Sequence, residues 1–216
     1  MPLAITVRAV LLDMDGTLVD STAIVERLWL QWAAAHGVDP AAVLEVVHGR
    51  QGHESMALLL PGRDPAVNRA ENAAMLQAET TQTDGVVAVP GAAALLATLA
   101  DAPHALVTSA DEGLASARMA AAGLGMPQVR VTAEHVSRSK PDPEGFLLAA
   151  RLLDVDPADC LVLEDSPTGI AAGLAAGMTV IGVGPRATDA GAVAVVPDLT
   201  SLHVAVTAAG IRIDLG

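Results

Sequence analysis

The stretch Val7-Arg8-Ala9-Val10-Leu11-Leu12-Asp13-Met14-Asp15-Gly16-Thr17 decides how the rest of the chain is read. Its apolar run from Val7 to Leu12 has the composition of a strand buried on both faces, as parallel strands are. The run ends abruptly in two aspartates and a glycine. Similar short runs recur at His104 to Val107, Val129 to Val131, Cys160 to Leu163, Thr179 to Val183 and Ala192 to Val196. Helical patterns separate most of them: Gly91 to Ala100, Asp111 to Ala122, Pro143 to Leu153 and Thr168 to Ala176. Strand and helix in alternation predict a doubly wound α/β fold around a parallel sheet.

The segment from about Ser21 to Thr83 breaks that alternation. It holds no strand pattern and four helical ones, Thr22 to His36, Pro40 to Val47, Glu54 to Leu60 and Ala66 to Gln82, punctuated by Gly49, Gly52 and Pro61-Gly62. A purely helical insert after the first strand predicts a small second domain over residues 19–84. Residues 1–18 and 85–216 then form the α/β core, with hinges at Val19 to Ser21 and Asp84 to Pro90. Trp29 and Trp32 lie three apart on one helix and read as packing within the insert.

Composition narrows the function classes. Apolar residues make up 52% of 216, ample for a core, while aromatics at 1% leave no platforms for stacking bases. Lys and Arg total 12 against 25 Asp and Glu, a net charge of −13 with no basic run, which argues against nucleic acid or an anionic membrane as partner. An anionic substrate would therefore need a site made locally positive. The single cysteine, Cys160, excludes an internal disulfide and reads as core. The six histidines show no metal-ligand spacing. The first ten residues lack a signal-peptide pattern, and no apolar run reaches the roughly 18 residues of a membrane span. The expectation is a cytoplasmic monomer.

In open α/β sheets, ligands bind beyond the carboxyl ends of the strands. The polar residues there are Asp13 and Asp15 after the first strand, Thr108 and Ser109 after the second, and Glu164 and Asp165 after the fourth. Lys140 stands before Pro141-Asp142-Pro143. Singly, each has a plain reading as a helix cap or a solvated loop residue. Together, several carboxylates at one sheet edge repel unless a cation sits among them. Oxygen ligands select a hard cation, for which Mg2+ is the usual choice.

These four segments resemble the motifs of the haloacid dehalogenase superfamily, in order and in spacing, across essentially the whole chain. The helical insert resembles the cap of the subgroup that holds sugar phosphatases and phosphoglucomutases. Thr17 to Ser21, Val25-Glu26-Arg27, His48-Gly49 and Val131 to Glu134 are further similar to bacterial hexitol and sugar-phosphate phosphatases. The resemblance implies that Asp13 is the nucleophile forming an acyl phosphate. Asp15 would protonate the leaving alcohol and then activate water. Members that cleave carbon–halogen bonds lack this second aspartate, so its presence implies phosphoryl transfer. Mg2+ would be held by the Asp13 carboxylate, the Asp15 carbonyl and Asp165, with Glu164 reaching it directly or through water. Lys140, Thr108 and Ser109 would hold the transferring phosphoryl group. In the cap loop after Gly49, Arg50, Gln51, His53 and Glu54 would meet the substrate, a small phosphorylated metabolite. Asp20 and Ser21 would line the cap-facing side, or Asp20 would cap the next helix.

Two other functions fit the same fold. A phosphomutase of the β-phosphoglucomutase type has a histidine twelve residues after the nucleophile, where this chain has Val25. A catalytically silent binding protein would have no need of Asp15. The sequence thus favours a phosphatase over both.

Overall fold

The computed structural model describes residues 3–48, 50–187 and 190–215. In chain order, β1 (Ala4–Val7) and β2 (Ala9–Leu12) precede β3 (Val19–Asp20). Four helices follow: α1 (Thr22–His36), α2 (Pro40–Val46), α3 (Gly52–Leu59) and α4 (Pro65–Thr81). The chain returns through β4 (Val87–Ala88) to α5 (Ala92–Leu99), β5 (His104–Val107), α6 (Glu112–Ala121), β6 (Val129–Val131) and α7 (Glu144–Leu152). It continues with β7 (Cys160–Glu164), α8 (Pro167–Ala175), β8 (Thr179–Val183), β9 (Ala194–Val196), β10 (Leu202–Thr207) and β11 (Gly210–Leu215). Among the described residues, no helix is long and apolar enough to cross a membrane.

Six strands form one parallel sheet in the order β6-β5-β2-β7-β8-β9, with helices on both faces, as the alternation predicts. The period of two sorts its side chains. Val10, Leu12, Leu161 and Leu163 pack on one side with Leu99, Leu114 and Met119. Ala9, Leu11, Cys160 and Val162 pack on the other with Phe146 and Ile170. The chain reverses order at β2, so β2 and its neighbours β5 and β7 define the switch point where a site is expected.

Two features differ from the sequence reading. Val7 to Leu12 is not one strand. The chain bends at Arg8, whose N–H donates to the Asp159 carbonyl (2.8 Å), and β1 joins β11 and β10 in a separate antiparallel sheet. The charge at Arg8 marks the break, since a guanidinium does not sit within a doubly covered strand. The hairpin β10–β11 was not anticipated, although Ile211 and Ile213 point inward between Arg212 and Asp214 in plain alternation.

All four helices of the insert form, within two residues of their expected ends. Two begin at Asp-Pro, where Asp39 accepts from the Ala41 N–H and Asp64 from the Ala66 N–H, and proline fills the first helical position. Gly37 closes α1 in the left-handed region (φ 65°). The helices share an apolar cluster of their own: Val25, Trp29, Trp32, Ala33, Val43, Val47 and Met56. The Trp29 and Trp32 rings meet edge to face with centroids 5.5 Å apart. The segments entering and leaving the insert pair with each other as β3 and β4, and the Val89 N–H donates to the Leu18 carbonyl. Both expected hinges therefore lie side by side. Gly49 lies outside the described residues.

Candidate active site

The β2 ladder continues one residue beyond the strand, where the Asp13 N–H donates to the Leu163 carbonyl (3.0 Å). The chain then folds into a tight loop, with the Leu18 and Val19 N–H groups both on the Met14 carbonyl. Met14 is fully buried in the core, while Asp13 and Asp15 on either side of it line one cavity. Gly16 makes the loop possible. Its φ is +88°, and a Cβ there would lie 2.0 Å from Asp165 Oδ2, so both conformation and space demand glycine.

Lys140 Nζ is buried and spends its three protons on Asp13 Oδ1 (2.6 Å), Glu164 Oε1 (2.8 Å) and the Val107 carbonyl at the end of β5 (3.1 Å). Burial alone would favour the neutral amine, yet Asp13 and then Glu164 hold it above the ordinary lysine range. Glu164 is fully enclosed. Its Oε2 accepts from the Ser166 N–H (2.7 Å) and hydroxyl (2.9 Å), and a Cβ on Gly169 would lie 1.6 Å from Oε1. Asp165 Oδ2 accepts from Arg186 Nη2 (2.5 Å) and Nε (3.0 Å). Asp15 accepts through Oδ1 from the Ser21 hydroxyl (2.6 Å) and through Oδ2 from Arg118 Nη1 (2.6 Å). Thr108 Oγ1 accepts from the Ala110 N–H (3.1 Å).

Three buried carboxylates, Asp13, Glu164 and Asp165, bring oxygens within 4.8 Å of one another. Burial pushes Asp13 well above the ordinary carboxylate range. Lys140 opposes this, and Glu164 and Asp165 add to it. Burial and then Glu164 push Asp165 up to about 7 against Arg186. When ionised, these three carboxylates carry one charge more than Lys140 and Arg186 balance. An all-oxygen donor set with excess negative charge fits a hard divalent cation of the Mg2+ type.

The cavity over this edge, about 90 Å³, is lined on its far side by the helical insert through Trp29, Arg50, Asn72 and Glu79. Asp13, Asp15, Thr108, Ser109 and Arg50 all line it, so one space collects residues far apart in sequence. Gln51 lines a small adjoining space with Lys140, Thr108 and Ser109. Asp20 and His53 are not brought to the cavity. Asp20 is exposed and accepts from the Thr22 N–H (3.0 Å), the helix-capping role. Glu54 instead reaches the Ser139 hydroxyl, tying α3 to the loop before Lys140.

Polar residues at the cavity that sequence reasoning missed include Glu79, Arg118, Asn72 and Arg186. Arg186 lies just after β8, at a strand end like the acids, and its position there is the signal that marks it. Arg118 is a lone charge on the apolar face of α6 beside Leu114, Ala115 and Met119, a pattern that signals a buried partner. That partner, Glu79, belongs to α4, and burial pushes it up to about 7 against Arg118.

The profile of the haloacid dehalogenase-like hydrolases matches residues 7–177. Hexitol phosphatase A of Escherichia coli K12 is 47% identical over 175 residues, covering 80% of this chain and 81% of that protein. The 2-deoxyglucose-6-phosphate phosphatase 2 of Saccharomyces cerevisiae is 33% identical, covering 90% and 89%. The crystal structure of β-phosphoglucomutase from Clostridium difficile superposes with a TM-score of 0.77 at 23% identity over 91% of this chain and 93% of that one, a likeness of fold alone. The chain belongs to the haloacid dehalogenase-like hydrolases, and its enzyme class there is that of the phosphatases.

Proposed function

We propose that this enzyme is a Mg2+-dependent phosphomonoesterase of small sugar or sugar-alcohol phosphates, working through an aspartyl-phosphate on Asp13. The observation that carries the reading is the placing of Asp13 and Asp15 in one cavity, with Lys140 2.6 Å from Asp13. The hexitol and deoxyglucose-phosphate phosphatase relatives support the substrate class.

The Asp13 oxygen attacks phosphorus as the bond to the ester oxygen breaks and its electron pair stays on that oxygen. Asp15 delivers a proton to it, so the alcohol leaves neutral. Asp15 then takes a proton from water as that water's oxygen displaces Asp13 from phosphorus. Lys140 balances charge on Asp13 throughout, and Thr108, Ser109 and backbone N–H groups hold the phosphoryl oxygens. The Asp13 and Asp165 carboxylates and the Asp15 carbonyl would hold Mg2+, which when bound shields the nucleophile from the phosphate charge. Glu164 accepts from Lys140 through Oε1 and from Ser166 through Oε2, so it orients Lys140, and it would add its charge to the metal site directly or through water.

Residues 19–84 act in this reading as a cap over a core of residues 1–18 and 85–216, hinged where β3 meets β4. Residues of both the cap and the core line the cavity, so the substrate binds between them, and movement of the cap about its hinge would widen the entry. Phosphate release from sugar, sugar-alcohol and glycerol phosphates is expected with Mg2+ and not with EDTA. No release from any ester, with isomerised sugar phosphate in its place, would turn the assignment to a mutase. Val25 speaks against that outcome, since it presents an apolar side chain to the cavity at the position of the mutase histidine.

Arg50 has a buried Nε with no partner among the described residues and lines the cavity from the cap side. Arg50→Ala is expected to lower kcat/KM for sugar phosphates about tenfold more than for phenyl phosphate. Equal losses on both esters would assign Arg50 to phosphate binding or to stability.

A further inference from the structure

We propose that Arg118 is a positioning residue for Asp15, and that Glu79 is the cap-side counter-charge that holds Arg118 in place. The inference rests on the acid/base role given to Asp15 above.

Arg118 is only 4% exposed, in the middle of α6 among Leu114, Ala115 and Met119. A guanidinium buried this far needs partners, because an unpaired buried charge is strongly unfavourable. It has two, on separate nitrogens. Nη1 donates to Asp15 Oδ2 at 2.6 Å, and Nη2 donates to Glu79 Oε2. Its Nε is buried with no hydrogen-bond partner among the described residues, so the two end nitrogens carry the attachment seen there. Residues 79 and 118 meet because α4 packs on α6, which brings a helix of the insert against a helix of the core.

The consequence falls on Asp15. Its Oδ1 takes the Ser21 hydroxyl at 2.6 Å, just before α1. With one donor on each oxygen, both side-chain torsions are fixed. Ser21 belongs to the insert, and Arg118 is tied to the insert through Glu79. Asp15 is therefore held in place from the cap side on one oxygen and through the cap's own ion pair on the other. A lysine at position 118 could reach one carboxylate but could not bridge both in a planar fork. When Asp15 gives its proton to the departing ester oxygen, the carboxylate left behind accepts from Ser21 and Arg118, the arrangement seen here.

The test separates positioning from bulk stability by the leaving group. An alkyl alcohol needs a proton as it departs, whereas p-nitrophenolate leaves without one. Because kcat/KM reports only steps up to departure of the leaving group, later hydrolysis of the acyl phosphate does not enter it. Glycerol phosphate and p-nitrophenyl phosphate are compared with Mg2+ for wild type, Asp15→Asn, Arg118→Met, Arg118→Lys and Glu79→Gln. Arg118→Met is expected to lower kcat/KM about 100-fold on the alkyl ester and under about fivefold on the aryl ester. Arg118→Lys is expected to recover about tenfold of the alkyl loss, and Glu79→Gln to show a smaller loss of the same selectivity. Should Arg118→Met fold poorly, the pair Arg118→Gln with Glu79→Gln keeps a neutral hydrogen-bonded contact between the helices and is read in the same way. Equal losses on both esters in the Arg118 variants, beside a selective alkyl loss in Asp15→Asn, would overturn the positioning role and leave the acid role of Asp15 standing. Equal losses in Asp15→Asn itself would overturn the acid role, and the role of Arg118 with it.

Discussion

Asp13→Asn is expected to reduce Mg2+-dependent phosphate release by at least about 10⁴-fold, the scale on which removal of a covalent nucleophile acts. The expectation follows from what the amide keeps and what it loses. Its oxygen still accepts from Lys140 Nζ, which also retains Glu164 and the Val107 carbonyl, so the local hydrogen bonding survives. The nucleophilic carboxylate is gone, and no other carboxylate takes its place. Glu164 is walled in by Ser166 and Gly169, and Asp165 is turned toward Arg186. The fold should not suffer. Burial and crowding by Glu164 and Asp165 already disfavour charge on Asp13, so its neutral replacement relieves repulsion in the metal-free protein. The melting temperature without metal should hold or rise. Phosphate release above about 1% of wild type, from a preparation whose substitution is verified by mass, would move the nucleophile elsewhere.

The residues named in that argument differ in how readily sequence discloses them. Asp13, Asp15, Glu164 and Asp165 were legible because each directly follows or ends a short apolar strand, and a parallel sheet puts all strand ends on one edge. Lys140 was legible by resemblance and not by periodicity, since it lies in a loop. Arg118 and Glu79 were illegible because nothing local distinguishes a buried ion pair between two helices from two surface charges. Only the packing of α4 on α6 makes them meet. Asp20 went the other way. It had two readings, as a lining residue of the cap-facing side and as a cap of the next helix, and its side chain accepts from the Thr22 N–H, the second of them. The fold was read well where period and capping agree, as in α1 through α4. It was read poorly where one charge decides, as at the Arg8 bend between β1 and β2.

The structure also resolves a tension in the composition. A chain of net charge −13 is poorly suited overall to an anionic substrate. Four of its 12 basic residues, Arg50, Arg118, Lys140 and Arg186, nonetheless gather at the carboxyl edge of the sheet and its covering helices. Three are committed to carboxylates, Arg118 to Asp15 and Glu79, Lys140 to Asp13 and Glu164, and Arg186 to Asp165. These pairs organise the acids. A divalent cation would add the positive charge that a phosphate requires.

Lys140→Met tests that balance through stability as well as turnover. Methionine matches the lysine chain in length and flexibility, so the change removes the charge with little cavity. Asp13 and Glu164 then face each other in a buried site without their cation. Breaking a buried pair on one side typically costs about 3–5 kcal/mol, which for a chain of this size is a fall of about 6–20 °C in Tm. Turnover should fall with it, because nothing else near Asp13 carries its charge. Mg2+ should restore part of the stability. A cation at about 100 times its Kd adds about 2.7 kcal/mol to any folded state that binds it, and the variant's site is more negative than the wild type's. Activity should not return with stability, since the metal and Lys140 contact Asp13 for different purposes. Adding Glu164→Gln to Lys140→Met should recover part of the lost stability without metal, because it removes one of the two orphaned carboxylates. Glu164→Gln alone should cost stability, since both Glu164 oxygens accept and the amide NH2 would face a donor, either Lys140 Nζ or the Ser166 N–H. Thermal melts of the four proteins, each with Mg2+ and with EDTA, complete the cycle. Additive losses would mean that Lys140 and Glu164 are not coupled, and a wild-type melt indifferent to Mg2+ at millimolar concentrations would remove the metal from this site.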